Sequence, residues 1–207
     1  MTPRRFLCLG DSYTIGEGVT AEARWPMQLA AAVRATAIRL ADPQIIARTG
    51  WTTTELLAAL DATAPPPRDD FDLVSLQIGV NDQYRGLGVN AFRSGFVALL
   101  ERAIRYAAND ARRVIVVSIP DWGVTPFAAS DARGASAIAA EVDAFNATAR
   151  VATRQAGTAF VDVTTDSRRA ADNKTLIAAD GLHPSAAMYG NWARLIIPAA
   201  LRALRTS

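Results

Sequence analysis

The sequence is poor in the residues that build most metal and redox sites. Among 207 residues there is one cysteine, Cys8, one histidine, His183, and one lysine, Lys174. A lone cysteine excludes an internal disulfide. One cysteine and one histidine together exclude the usual thiolate and imidazole zinc sites, so no metal site is expected. One lysine excludes most lysine-dependent chemistry. No Gly-Lys pair exists, so there is no Walker A loop, and no G-x-G-x-x-G follows a strand pattern. No G-x-S-x-G occurs either, which removes the nucleophile-elbow hydrolases from consideration. No run of 18 or more apolar residues exists, so no membrane span is expected. The apolar run Phe6 to Leu9 is far too short for a signal-peptide core and ends at Gly10-Asp11. The expected compartment is therefore the cytoplasm.

What is present suits a soluble globular chain. Half of the residues are hydrophobic and 20% are charged, with 13 glycines and 10 prolines. That composition excludes disorder, collagen and coiled coil. The net charge of +2 is a small excess of 22 basic over 20 acidic residues, nearly all of the basic ones arginine. Arg4-Arg5, Arg112-Arg113 and Arg168-Arg169 are scattered among acids. They read as solvated surface, not as a nucleic-acid face. The expected partner is a small molecule, and nothing in the sequence indicates an oligomeric state.

Short apolar runs alternate with longer Ala-rich stretches. Strands are expected at Phe6–Leu9, Gln44–Ala47, Phe71–Ile78, Arg113–Ile119 and Ala159–Val163. Helices are expected at Trp25–Leu40, Thr52–Leu60, Ala91–Ala108, Ala135–Gln155 and Ser185–Leu204. Thr52-Thr53-Thr54-Glu55 has capping-box spacing, and Pro120 to Asp131 reads as an irregular loop. Strands separated by helices imply βαβ units, hence an α/β fold with a parallel sheet covered on both faces. No repeat or linker divides the chain, so one domain over residues 1–207 is expected.

In such sheets ligands sit beyond the carboxyl ends of the strands. Those ends carry Gly10-Asp11-Ser12-Tyr13, Arg48-Thr49-Gly50-Trp51, Gly79-Val80-Asn81-Asp82 and Pro120-Asp121-Trp122-Gly123. Asp180-Gly181-Leu182-His183-Pro184 lies between the fifth strand and the last helix. A serine needs a base to become a nucleophile. Ser12 is the candidate nucleophile and His183 the only imidazole that can serve it. Pro184 disfavours helix at His183, and Asp180, three residues earlier, can accept from Nδ1 in a turn and leave Nε2 to face Ser12. The Ser12 N–H, the Gly50 N–H and the Asn81 side-chain amide are candidate donors to an oxyanion.

These blocks resemble those of the SGNH, or GDSL, hydrolases. Gly10-Asp11-Ser12, the isolated Gly50, Gly79-x-Asn81-Asp82 and Asp180-x-x-His183-Pro184 occur in that family's order, from residue 10 to 184. The resemblance implies a flavodoxin-like α/β/α sandwich around a five-stranded parallel sheet. It implies Ser12 as nucleophile, His183 as base, Asp180 as its partner, and Ser12, Gly50 and Asn81 as the oxyanion hole. It implies no metal and no organic cofactor. Two positions depart from the family. Tyr13 stands where leucine is usual, which should alter the pocket wall. Arg48-Thr49-Gly50-Trp51 is less rich in glycine and serine than the usual second block.

Competing readings exist for most of these residues. An isolated histidine is more often structural, and Gly-Asp-Ser is good turn chemistry; the ordered blocks outweigh both. Asp11 and Asp82 read as holding their loops. Cys8 reads as a buried core thiol. Arg48 reads equally as an anion contact or as surface. Trp51, Tyr84, Trp122 and Phe127 are candidate pocket residues, each as well suited to packing, whereas Trp25 and Trp192 read as packing. The expected function is cleavage of carboxylic esters, with short acyl or acetyl groups favoured because no lid or long hydrophobic insertion is evident. A sugar O-deacetylase, a thioesterase or an acyltransferase would use the same acyl-enzyme. A binding domain that kept this fold without catalysis is the remaining class.

Overall fold

The computed structural model describes residues 2–205. Five strands form one parallel sheet: β1 (Phe6–Gly10), β2 (Gln44–Ala47), β3 (Leu73–Gln77), β4 (Val114–Val117) and β5 (Ala159–Val161), in the order β2-β1-β3-β4-β5. β1, β3 and β4 are buried along their whole lengths, as apolar strands covered on both faces must be. The register levels the strand ends: Gly10 pairs with Ala47 on one side and with Gln77 on the other. Residues a few positions past these three therefore emerge at one edge. The strand order also reverses at β1, because the chain goes from β1 outward to β2 and then returns to β3. The β1/β3 end is thus the switch point where a ligand crevice opens.

Two layers of helices cover the sheet. On one face α2 (Trp25–Arg34) packs against α8 (Ala186–Arg205), and on the other α3 (Thr53–Ala62) and α6 (Ala135–Ala156) flank α5 (Val89–Tyr106). Trp25 and Trp192, from the paired helices α2 and α8, are completely buried. Trp25 also donates to Gln77 Oε1 at 3.0 Å, while Gln77 Nε2 donates to the Ser118 carbonyl at 3.2 Å. One buried glutamine thereby ties the end of β3 both to α2 and to the segment after β4.

The structure agrees with the expected elements in type and departs from them at the edges. The α/β fold is as expected. The expected helix over residues 25–40 stops at Arg34, because Ala37 adopts φ 66° and Leu40 forms a bridge with Arg4. β3, β4 and β5 are each shorter than their apolar runs. Residues after β1 and β3 form short helices, α1 (Ser12–Ile15) and α4 (Val80–Tyr84), and residues after β5 form α7 (Thr164–Ser167). The irregular stretch after β4 contains two 3₁₀ segments, Trp122–Val124 and Pro126–Ser130. Among the described residues no helix is long and apolar enough to cross a membrane.

The Thr52 capping box forms as the spacing predicts. Thr52 Oγ1 accepts from the Glu55 N–H at 3.3 Å, and Glu55 Oε2 accepts from the Thr52 N–H at 2.8 Å. Thr52→Ala removes one acceptor from the first turn of α3 and should lower stability by about 1 kcal/mol, measured as a lower urea midpoint with an unchanged denaturant slope.

Candidate functional site

β1 delivers Ser12 to the sheet edge. Gly10, its last residue, has no room for a side chain, since a Cβ would lie 2.4 Å from the Gln77 carbonyl oxygen. Asp11 then caps α1: its carboxylate accepts from the Tyr13 N–H at 3.0 Å. Ser12 is the first residue of that helix, where amides have no intrahelical acceptor. Burial is the main cause that pushes the Asp11 carboxyl up to about 8. The Tyr13 N–H opposes the shift, and the nearby Asp82 charge adds to it.

His183 arrives from a tight loop before α8. Asp180 Oδ1 accepts from the N–H groups of Leu182 and His183, both at 2.9 Å. The loop closes on itself through Ala178 N–H to the His183 carbonyl at 2.7 Å. The Phe127 N–H fastens it to the segment after β4 by donating to the Gly181 carbonyl at 3.0 Å. Asp180 Oδ2 lies 2.7 Å from His183 Nδ1, and His183 Nε2 lies 3.0 Å from Ser12 Oγ. Partial burial opposes ionisation of Asp180. The Leu182 amide, the imidazole and the His183 amide outweigh it and hold the carboxyl below its ordinary range. Tyr13 packs its ring 5.6 Å from the imidazole and 6.2 Å from Trp192, so the imidazole rests on the core.

The other two strand ends complete the edge. Gly50 takes φ 83° in the turn after β2, a conformation suited to glycine. Among the described residues its N–H has no acceptor in the protein. Asn81 Nδ2 donates one hydrogen to the Trp51 carbonyl at 2.9 Å, which leaves its second amide hydrogen free. Ser12, Gly50, Asn81 and His183 border one cavity of about 120 Å³. Its far wall consists of Tyr84, Trp122 and Phe127, with ring centroids 5.4 to 6.2 Å apart. Tyr84 and Phe127 stand half exposed at the rim, whereas Trp122 is buried and donates to Gln83 Oε1 at 2.8 Å.

Of the residues singled out from the sequence, Trp51 does not border this cavity. Its ring is partly buried against the core and its carbonyl orients Asn81. Tyr13 borders the cavity, but its ring is almost wholly buried. Arg48 is exposed, and Cys8 is buried, its thiol pushed up by burial. Asp11 and Asp82 hold their loops as expected. Asp82 accepts from the Thr53 N–H at 2.9 Å and from its hydroxyl at 2.6 Å. Thr49, Val80 and Leu182 also border the cavity and were not singled out, although each is a direct neighbour of a residue that was. Arg85 was missed as well. It donates to the Gly50 carbonyl at 2.6 Å and to Glu55 Oε1 at 3.1 Å, and nothing in its local sequence signals that reach.

A family model described as the GDSL-like Lipase/Acylhydrolase family matches residues 8–190. The chain belongs to this family. No curated protein sequence gives a significant match. Solved GDSL-type and esterase structures share the fold at low identity. The psychrotrophic esterase EstA from Pseudoalteromonas sp., in a structure inhibited by monoethylphosphonate, is 19% identical. It has a TM-score of 0.70, with 98% of this chain and 99% of that chain covered. TesA is 20% identical with a TM-score of 0.69, covering 97% and 100%. The lipase Lip_vut3 from a goat rumen metagenome is 16% identical with a TM-score of 0.76, covering 95% and 97%. At such identities the structural likeness establishes the SGNH hydrolase fold, and the family model establishes a hydrolase of the lipase/acylhydrolase group.

The buried Asp11 of this GDSL block gives a pH signature. Its carboxyl stays protonated in the folded chain up to about pH 8, whereas an unfolded aspartate ionises near pH 4. Between those values the unfolded state holds fewer protons, so this group's contribution lowers stability as pH rises. Asp11→Asn keeps an acceptor for Tyr13 and cannot ionise. Its stability relative to wild type should rise from pH 4 to pH 8 by an amount on the order of a few kcal/mol, read from denaturation at a series of pH values. A constant difference across that range would contradict the burial argument.

Proposed function

We propose that the chain is a serine hydrolase of carboxylic esters that works through an acyl-enzyme on Ser12, with residues 1–207 acting as one domain. The reading rests above all on the hydrogen-bonded chain Ser12 Oγ–His183–Asp180, at 3.0 and 2.7 Å, at the edge of a cavity that also meets Gly50 and Asn81. Asp180 accepts from Nδ1–H, fixes that tautomer and leaves the Nε2 lone pair toward Ser12. As Ser12 Oγ attacks the acyl carbon, Nε2 takes its proton and the carbonyl electrons move onto oxygen. The N–H groups of Ser12 and Gly50 and the free amide hydrogen of Asn81 are the donors for that oxyanion. Collapse breaks the bond to the alcohol oxygen, and the imidazolium returns its proton to that oxygen. A water then attacks the acyl-Ser12 ester with His183 again as base, which frees the acid and restores Ser12. No step calls for a metal or an organic cofactor.

The acyl group belongs in the cavity under Tyr84, Trp122 and Phe127. At about 120 Å³ it lies well below the roughly 300–1,000 Å³ of pockets for drug-sized ligands. Short acyl chains fit that volume, and the half-exposed rim rings offer only a shallow apolar shelf beyond it.

EstA has been solved inhibited by monoethylphosphonate, and a fluorophosphonate is the direct probe here. Wild type should label on Ser12 and hydrolyse chromogenic short-chain esters. Ser12→Ala should not label, and Ser12→Ala and His183→Ala should each lose about 10³-fold or more in kcat/KM, with Asp180→Ala losing less. Labelling that survives in Ser12→Ala would sink the mechanism, and a folded wild type that neither labels nor turns over would favour a binding domain. Across an ester series of growing acyl length kcat/KM should fall steeply, and a maximum at long chains would contradict the cavity argument.

A further inference from the structure

We propose that Glu17 determines specificity on the alcohol side of the site, favouring esters whose leaving alcohol carries a positive charge. This inference rests on the serine-hydrolase reading above. Glu17 follows Gly16, the left-handed residue that ends α1, and its N–H donates to the Ser12 carbonyl at 3.1 Å. Its Oε2 accepts from the Thr49 hydroxyl and lies 3.9 Å from His183 Nε2. The carboxylate therefore bridges the turn after β2 and the histidine loop at the edge of the site.

Strand order places it opposite the acyl wall. Thr49 follows β2, on one side of β1. Tyr84, Trp122 and Phe127 follow β3 and β4, on the other. With the acyl group under those rings, the alcohol leaves toward Glu17. To be protonated, the leaving oxygen must come within hydrogen-bond reach of Nε2. It then lies within about 7 Å of the Glu17 carboxylate, given the 3.9 Å separation. Among the described residues no arginine or lysine pairs with Glu17. The nearby Arg85 is bound to Glu55 and to the Gly50 carbonyl, and Asp180 adds a second carboxylate on the far side of the imidazole. Glu17 thus has no direct arginine or lysine partner, and it is partly solvent-exposed, so salt and the exposed Arg48 beside Thr49 will screen it. A cationic nitrogen two carbons beyond the leaving oxygen lies within roughly 10 Å of the carboxylate, where a unit charge is worth roughly three- to thirtyfold in kcat/KM.

The test compares two esters of one short acyl group on the purified full chain. One has choline as the alcohol, and the other has its uncharged carbon isostere, 3,3-dimethylbutanol. The ratio of their kcat/KM values within each protein cancels any general change in activity. Wild type should favour the choline ester by about three- to thirtyfold at low salt, and added salt should compress the ratio. Glu17→Gln keeps a group that can accept from Thr49 and should bring the ratio close to one. Glu17→Lys should take it below one. An active enzyme whose ratio is the same in wild type and Glu17→Gln, or is already at or below one in wild type, overturns the inference and leaves the serine mechanism standing. A folded wild type that hydrolyses neither ester and takes up no fluorophosphonate overturns the mechanism, and this inference with it.

Discussion

The hydrogen bond between Ser12 Oγ and His183 Nε2 joins residues 171 positions apart, and much of the architecture bears on it. Neither partner can reach the other by local structure. Ser12 is fixed by the central strand of the switch point, with Gly10 paired on both sides. His183 is fixed by the start of α8, whose face packs on α2 and, through Trp192, on Tyr13. Tyr13 contacts both the imidazole and Trp192, so a single ring couples core packing to the donor–acceptor distance. Leucine there would fill space but would offer the imidazole no flat surface. A hydrogen bond weakens steeply with misalignment. Repacking of α2 against α8 can therefore shift the imidazole through Trp192 and Tyr13.

The opposite rim is held by polar side chains, not by packing. The turn after β2 carries Gly50 with no strand or helix of its own, and three groups pin it. Asn81 donates to the Trp51 carbonyl, Asp82 accepts from the Thr53 N–H and hydroxyl, and Arg85 donates to the Gly50 carbonyl while pairing with Glu55. All three come from α4 and its end, so one short helix after β3 orders the loop after β2. Fixed donors stabilise developing charge without reorganising when it appears. Burial opposes the ionised form of Asp82, and the two bonds from Thr53 only partly offset it. Removing Thr53 would leave a buried carboxylate without those partners, which costs more than a neutral hydrogen bond gains.

Much of this was legible in the sequence because the chemistry sits where periodicity changes. Apolar strand runs end in Gly-Asp-Ser, Thr-Gly and Gly-x-Asn-Asp, and a parallel sheet turns strand ends into one edge. The lone histidine could be paired with Asp180 by spacing alone, since Pro184 keeps that segment out of a helix. What escaped notice depended on reach across the fold. Arg85 and Glu17 lie in segments whose sequence looks like ordinary polar surface, and only the strand order brings them to the Gly50 turn and to His183. Trp51 follows a strand and suits pocket or packing equally by sequence; its ring packs on the core and its carbonyl accepts from Asn81. The helix after Trp25 was read six residues too long because alanine-rich sequence continues past Arg34, whereas Leu40 is drawn into a bridge with Arg4 beside the first strand.

The carboxylates around Ser12 divide by solvent access into different physical roles. Asp11 and Asp82 are buried, their carboxyls are pushed up by desolvation, and they act as acceptors for backbone amides that would otherwise be orphaned. Asp180 is partly open and accepts two amides and the imidazole, which favours its ionised form beside the proposed base. Under the proposed mechanism a charge on Asp11 would lie near Ser12, where the oxyanion develops, whereas Asp180 lies across the imidazole ring from Ser12. Desolvation opposes ionisation of Asp11 and Asp82, and hydrogen bonding favours it at Asp180. Glu17 differs from all three: it is partly solvent-exposed and lies 3.9 Å from His183 Nε2. In the proposed alcohol-side role, water screens its repulsion of the oxyanion and its attraction for a cationic alcohol alike, so the net effect is set by which of the two charges lies nearer to it.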